Sequence, residues 1–404
     1  MKRLITYIKK YNLIFNILEK VVDSILWLRD NTINRIYWNI YCKKEIENNK
    51  IVICSYYGRG YSDNSKYIVD EIIKKNLDYK IVWIVNDISK NESFPKNIKT
   101  IKYKSKEMIY ELATAKIWID NSRKQHYTKK RENQIYIQTW HGGVALKKIE
   151  KDAINTLSKS YIKFAKKDSE NIDLFISNSK FISNLCKSTF WYNGDILEVG
   201  VPRNDILFKE ADILEKKIKH SLKIPKDKRI IMYAPTFRND SNIDVYKFDY
   251  EKVIDTFNKK FSKEHILIIR LHPNILKKST ELGLECFENV YNGSFYPDMQ
   301  ELLVVSDILI TDYSSSMFDF MLTQKPCFIY ATDIESYRDE RGFYFDFKEL
   351  PFDIATNEIE LIKSVENFKQ DKYSQNIGEF SKDIGIIDNG SASAKVVDWI
   401  ENNK

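Results

Sequence analysis

Asp307-Ile308-Leu309-Ile310-Thr311-Asp312-Tyr313-Ser314-Ser315-Ser316-Met317-Phe318-Asp319 is the stretch that decides the fold. Its apolar run, 307–311, predicts a buried strand, the polar break at 312–316 a loop, and residues 317–322 a helix. A continuous apolar run, without strict alternation, marks a strand covered on both faces, as in a parallel sheet. A helix beginning just after such a strand offers free backbone N–H groups and the positive end of its dipole, and the serines add hydroxyl donors. That combination suits an anion such as a diphosphate. Taken singly, the serines are better explained as helix caps. Asp319, one turn beyond Ser315, faces the same way and is placed to hold a ribose hydroxyl or a polar headgroup.

The same strand-to-loop pattern recurs along the chain. Strands are predicted at 51–55, 80–85, 117–120, 134–138, 174–177, 196–199, 229–233, 265–271, 307–311 and 328–330, with a helix near 65–76. This βα rhythm predicts a parallel sheet with helices on both faces and ligands outside the carboxyl ends of the strands. In the second half, Tyr233-Ala234-Pro235-Thr236-Phe237-Arg238 ends a strand on a proline and presents a hydroxyl and a guanidinium. In Arg270-Leu271-His272-Pro273, strand alternation predicts that Arg270 and His272 share a side. A fourth junction runs from Tyr330 through Asp333 to Arg338, Arg341 and the aromatic run Phe343-Tyr344-Phe345, which reads as core packing. In the first half, Gln138-Thr139-Trp140-His141-Gly142-Gly143 places one of only five histidines after a strand and before a glycine pair. Two glycines there let a phosphate or sugar approach the backbone, although a tight turn explains them as readily. Gly58-Arg59-Gly60 reads as a surface turn in preference to a phosphate loop.

Length and composition bound the answer. With 404 residues, 43% of them hydrophobic, the chain suits two α/β domains with extras. The five cysteines are far apart with no C-x-x-C pair, which argues against a zinc knuckle or a disulfide framework. Of the net charge of +7, most sits in residues 1–50, where ten Lys/Arg face five Asp/Glu. The same segment is apolar at Leu4, Ile8, Tyr11, Phe15, Leu18, Val22 and Ile25, one face of a helix. A second short helix carries Ile33, Tyr37 and Ile40, with Trp27 and Trp38 as amphipathic anchors. No uncharged run reaches the ~20 residues that span a bilayer, so contact with a membrane surface is expected, with packing on protein the alternative. Nucleic-acid binding is disfavoured, because the basic residues concentrate on this amphipathic segment.

In order, TWHGG (139–143), GVPRND (200–205), YAPTFR (233–238), RLHP (270–273), TDYSSSMFDF (311–320), RGFYFDF (341–347) and DNGS (388–391) resemble the CDP-glycerol:poly(glycerophosphate) glycerophosphotransferase family of teichoic acid primases and polymerases. The likeness covers roughly residues 50–400. It implies an α/β, GT-B-like fold: two Rossmann-like lobes facing a central cleft, with N-terminal amphipathic helices. The implied division is 1–48 for membrane-associating helices, 49–203 for an acceptor-side lobe and 204–404 for a CDP-donor-binding lobe. The resemblance makes His141 and His272 the catalytic pair. Trp140, Gly142, Gly143, Arg203, Pro235, Thr236, Arg270, Ser314, Ser315 and Asp319 match substrate-binding positions, with Arg238, Thr311 and Ser316 as further candidates. The family's polymerases usually carry a substantial additional domain, so this length is closer to single-unit primases and shorter capsule-associated transferases. Gly143 stands where several members have another small residue.

The reaction this implies is attack of an acceptor hydroxyl on the β-phosphorus of CDP-glycerol, with CMP leaving. The acceptor would be a lipid-linked saccharide or polymer at the inner, cytoplasmic face of the membrane. His141 is expected to take the hydroxyl proton, help worth ~10²–10⁴-fold. Arg270, His272 and residues 314–316 are expected to stabilise charge on the bridging oxygen and the CMP phosphate. No cofactor and no protein-bound metal are expected, with Mg²⁺ allowed to accompany the nucleotide, and a homo-oligomer is left open. His126, His220 and His265 receive no role. The rivals are a CDP-ribitol donor on the same scaffold, a GT-B glycosyltransferase using UDP- or GDP-sugars, and a non-catalytic membrane-recruited binding protein.

Overall fold

The computed structural model describes residues 25, 28, 32–89, 94–125, 127–238, 243–272, 275–276, 281–335, 337 and 342–404. The apolar stripe from Leu4 to Val22, Trp27, His126, Pro273, Arg338 and Arg341 lie outside the described residues. The fold is α/β and GT-B-like, with two parallel sheets of seven and six strands.

The strands are β1 (Glu47–Cys54), β2 (Lys80–Val85), β3 (Ile98–Lys102), β4 (Ala115–Asp120), β5 (Ile135–Gln138), β6 (Leu174–Ser177), β7 (Asp195–Glu198), β8 (Arg229–Ala234), β9 (His265–Ile269), β10 (Val290–Asn292), β11 (Ile308–Thr311), β12 (Cys327–Tyr330) and β13 (Asp353–Ala355). The described residues group into two compact units. One comprises those up to Gly60 with Asp78–Ile137 and Lys404, and the other Tyr61–Leu77 with Gln138–Asn403.

In the first unit the strands run β3-β2-β1-β4-β5. Ile51, Val52, Ile53, Ile117 and Ile119 have no solvent exposure, as expected of central parallel strands sandwiched between helices. The loop after β1 folds back on the end of β2, with Asn86 N donating to Gly58 O at 2.7 Å. Gly58 has φ +94°, and a Cβ there would sit 2.8 Å from Asn86 N. The glycine is therefore a backbone-approach requirement, in keeping with the turn reading. The helix Asn34–Tyr41 bears out the short helix expected there. Its anchor assignment needs correcting: Trp38 is only 4% exposed and packs edge-on against Trp118 at 5.9 Å. Ile33, Ile36 and Ile40 are the apolar side chains it presents to solvent.

In the second unit the six-stranded sheet runs β10-β9-β8-β11-β12-β13. Numbered from its own first strand, that is the doubly wound order 3-2-1-4-5-6. The order reverses between β8 and β11, whose carboxyl ends are Ala234 and Thr311, paired in register. Chain segments leave in opposite directions from that point, which opens a crevice at the strand ends. Pro235-Thr236 and residues 312–316 lie there.

Two expectations change. β9 ends at Ile269, so Arg270 and His272 lie beyond the strand and alternation does not govern them. Arg270 N still donates to Tyr233 O of β8 at 2.8 Å, but Leu271 N donates to the Ser294 hydroxyl in place of a strand carbonyl, so the backbone ladder ends there. The helix after the serines is also shorter than expected, Ser316–Phe320, followed by a 3-10 turn at Met321–Thr323. Its dipole is correspondingly small, and the hydroxyls and loop N–H groups carry more of the polarity. Among the described residues, no helix is long and apolar enough to cross a membrane.

Candidate active site

All the residues singled out for chemistry belong to the second unit, and their bonds divide them into a buried frame and a half-buried lining. The frame begins at Arg203, which is 5% exposed. Its Nη1 donates to Asp63 Oδ2 at 2.7 Å and to His141 O at 2.8 Å, and its Nη2 to Asp319 Oδ2 at 2.7 Å. Asp319 also accepts from Asn204 Nδ2 at 3.0 Å and Gln300 Nε2 at 3.1 Å. A buried carboxylate with this many donors is satisfied inside the protein. Its bonds hold the helix Ser316–Phe320 to the 200–205 turn, and Arg203 carries the tie on to the turn bearing His141.

The same turn is tied to the chain's end. Asp388 accepts from Val201 N and Asn178 Nδ2, both at 2.8 Å. Burial pushes the Asp388 carboxyl up to about 6; the two hydrogen bonds oppose this, and the carboxylates of Asp319 and Asp205 add to it. Asp205 caps the helix Ala392–Asn403 by accepting from Ala392 N and Ser393 N at 2.9 and 2.7 Å.

A second frame surrounds Arg238. Its Nε and Nη2 make a bidentate pair with Asp333 at 2.7 and 2.9 Å, and Nη2 also reaches Asp312 Oδ2 at 2.8 Å. The guanidinium lies over Tyr313 and Tyr337, 4.8 and 4.9 Å from their ring centroids. These rings stack on each other at 3.9 Å, and Phe343 of the aromatic run packs against both at 6.0 and 6.3 Å. Asp312 uses its other oxygen on Thr236 N at 2.8 Å and Tyr313 N at 2.6 Å, which joins the loop after β8 to the loop after β11. Thr311 adds a third stitch, donating its hydroxyl to Ala234 O at 2.7 Å.

The lining is what these frames hold. Ser314 and Ser315 are half-buried. The Ser314 hydroxyl accepts from Ser316 N at 3.3 Å and pairs with the Ser316 hydroxyl at 2.9 Å, while Ser315 makes no cap hydrogen bond to the helix it precedes. Capping therefore accounts for Ser314 but not Ser315. Gly142 faces Ser315: a Cβ on it would stand 3.7 Å from the Ser315 hydroxyl. Gly143 is buried against the frame, where a Cβ would come within 3.1 Å of both Asn178 Nδ2 and Asp319 Oδ1.

His141 is half-buried and stacked on Trp140, centroids 4.4 Å apart, and Trp140 meets Phe190 edge-on at 4.7 Å. His272 is half-buried beside Phe237 at 5.8 Å. Pro235 is buried and Thr236 half-buried, and the Thr236 hydroxyl is a buried oxygen with no hydrogen-bond partner. A buried hydroxyl left unbonded costs about 1–3 kcal/mol, which a ligand at that position would recover. Arg270 Nη1 donates to Gly293 O and Tyr296 O at 3.1 and 2.6 Å, securing the loop after β10. His265 starts β9, at the far end of that strand from Arg270 and His272, and burial lowers its pKa.

Asp63, Asn64, Asn178, Gln300, Asp312 and Asp333 were not singled out as site residues from the sequence. Asp63-Asn64 opens a helix and reads as an ordinary helix start, and Gln300 sits inside another helix with no local sign of its partners.

A sequence profile described as "CDP-Glycerol:Poly(glycerophosphate) glycerophosphotransferase" matches residues 36–402. The chain is similar to a teichoic acid poly(glycerol phosphate) polymerase of Staphylococcus epidermidis, with 34% identity over 394 residues; the match covers 94% of this chain and 54% of that protein. It is also similar to a protein of that description from Bacillus spizizenii, 35% identical over 367 residues, 87% of this chain and 92% of the other. The solved structure of the wall teichoic acid polymerase TagF superposes with a TM-score of 0.81 at 32% identity, covering 96% of this chain and 97% of that one. The chain thus spans about half the length of the Staphylococcus epidermidis relative and nearly all of the Bacillus spizizenii one.

Proposed function

Because the chain belongs to the CDP-glycerol:poly(glycerophosphate) glycerophosphotransferase family, we propose that it transfers glycerol phosphate from CDP-glycerol to a hydroxyl of a lipid-linked acceptor and releases CMP. The observation that carries this reading is the meeting of Gly142, next to His141, with Ser315 at the switch point of the donor-side sheet. That meeting sets a histidine turn beside half-buried hydroxyls at the strand ends, where doubly wound sheets take nucleotides.

In this reaction the acceptor oxygen attacks the β-phosphorus, the bond from that phosphorus to the bridging oxygen breaks, and CMP departs with the electron pair. His141 takes the acceptor proton. Ser314, Ser315, the Thr236 hydroxyl, Arg270 and His272 face the diphosphate and offset the charge that grows on the leaving phosphate. Arg203, Asp319, Arg238 and Thr311 act through what they hold, since their polar groups are bonded within the protein. Residues 49–203 form the acceptor side and 204–404 the donor side. The exposed isoleucines of the helix Asn34–Tyr41 continue the basic amphipathic segment onto the cytoplasmic surface of the membrane, where a lipid-linked acceptor is held.

The test is CMP release from CDP-glycerol on a defined lipid-linked acceptor, with mass spectrometry of the product. His141→Ala should abolish release while CDP binding and the melting temperature stay unchanged. Turnover with CDP-ribitol and none with CDP-glycerol would replace the donor, a sugar-transfer product would replace the reaction class, and a turning-over His141→Ala would remove that histidine from the chemistry.

A further inference from the structure

The Trp140-His141 turn is strained and externally held. Trp140 has φ +50°, a left-handed conformation that a bulky side chain adopts only when its surroundings impose it. Two groups from outside the turn grip the carbonyls on either side of the His141 Cα, and the neighbouring Thr139 hydroxyl also donates to Trp140 O at 3.0 Å. Asn64 Nδ2 donates to Trp140 O at 3.1 Å, and Arg203 Nη1 donates to His141 O at 2.8 Å. The grips are coupled, because Asn64 Oδ1 accepts from Arg203 N at 3.1 Å and Asp63 Oδ2 pairs with Arg203 Nη1 at 2.7 Å. Asp63 is itself left-handed at φ +61°, and its Oδ1 accepts from Asn64 N at 2.8 Å. Asn64 is 1% exposed, so water does not substitute for either half of its carboxamide.

We propose that Asn64 is a positioning residue for His141: its carboxamide spans Trp140 O and Arg203 N, and thereby fixes where the stacked imidazole sits. The geometry is specific in its polarity. One end must donate to a carbonyl and the other must accept from an N–H, which Asn does and Asp, lacking the Nδ2–H, does not. The proposal builds on His141 as the acting base, and its first readout is independent of activity.

Five histidines give a sparse imidazole spectrum by NMR, in which His141 is identified by its absence from His141→Ala. In Asn64→Ala and Asn64→Asp the His141 ring signals should move, because the ring-current shift from Trp140 depends on the 4.4 Å stack, while those of His220 and His265 stay in place. In turnover, both variants should lose at least tenfold in kcat with KM for CDP-glycerol within about twofold of the parent. Lys74→Ala, at the far, exposed end of the helix Asp63–Lys74 that carries Asn64, should match the parent in both readouts. Unmoved His141 signals in Asn64→Asp overturn the positioning role whatever the substrate proves to be. Moved signals with unchanged kcat overturn its relevance to the reaction. A parent protein that releases no CMP, alongside moved signals, refutes the reaction and leaves the positioning intact.

Discussion

Replacing Arg203 by Met tests whether the frame around the histidine turn is a buried, charged cluster. Arg203 is 5% exposed, and its guanidinium stands 2.7 Å from two carboxylates, Asp63 and Asp319, whose side chains are 6% and 3% exposed. At an effective dielectric of about 20, one such pair is worth about 4 kcal/mol of attraction before desolvation is counted. Removing one partner of a buried pair typically costs about 3–5 kcal/mol, because the remaining charge stays buried without its counter-charge. Arg203→Met leaves two such carboxylates but conserves most of the apolar volume, so a loss of about 4 kcal/mol at pH 7.5 is expected. The assay is urea unfolding followed by tryptophan fluorescence at pH 7.5 and pH 5.5. Lys74→Met, which removes an ion pair from a side chain 72% exposed, should leave the midpoint where it was. A loss below about 1 kcal/mol at both pH values would mean that the pair behaves as a solvated one and that the frame is not a buried charge cluster.

Asp388 supplies a pH dependence with a definite sign. Its carboxyl is pushed up to about 6, so the folded protein keeps a proton that the unfolded chain releases near pH 4. Its contribution to stability is therefore full below about pH 4, falls as the pH rises to about 6, and is flat above, a decline of about 2–3 kcal/mol. Asp388→Asn should remove that step, and a stability curve of unchanged shape in the variant would assign the titration elsewhere. Gly58→Ala should lose about 2 kcal/mol or more in thermal or urea unfolding, because its Cβ meets Asn86 N at 2.8 Å. Gly60→Ala tests conformation alone, since no atom lies within 4 Å of its Cβ position, and it should lose less. Ile36→Glu and Ile40→Glu, at residues 54% and 49% exposed, should weaken sedimentation with anionic lipid vesicles at least tenfold and leave the melting temperature unchanged. Equal vesicle binding would place the membrane contact elsewhere.

The central strands were legible because they are buried on both faces and so read as uninterrupted apolar runs: β2 and β6 have the ends their sequences predict. The strands that went unread, β3, β10 and β13, all lie at sheet edges, where a half-exposed face dilutes the apolar signal with Lys, Asn and Asp. Nothing local in the sequence marks that β9 stops at Ile269, because the Ser294 hydroxyl that meets Leu271 N comes from 23 residues further on.

The order of motifs along the chain determined the α/β class, the family and the short list of histidines, serines and arginines, since each rests on the few residues around a strand end. Tertiary structure alone decided which of those polar groups are spoken for. Asp319 and Arg203 lie 116 residues apart and Asp63 and Arg203 lie 140 apart, yet they pair in the interior, while Ser315 beside Gly142 stays half-buried and makes no capping bond. A charge's partner is set by whatever the fold brings within about 3 Å of it, and burial then makes that partner obligatory.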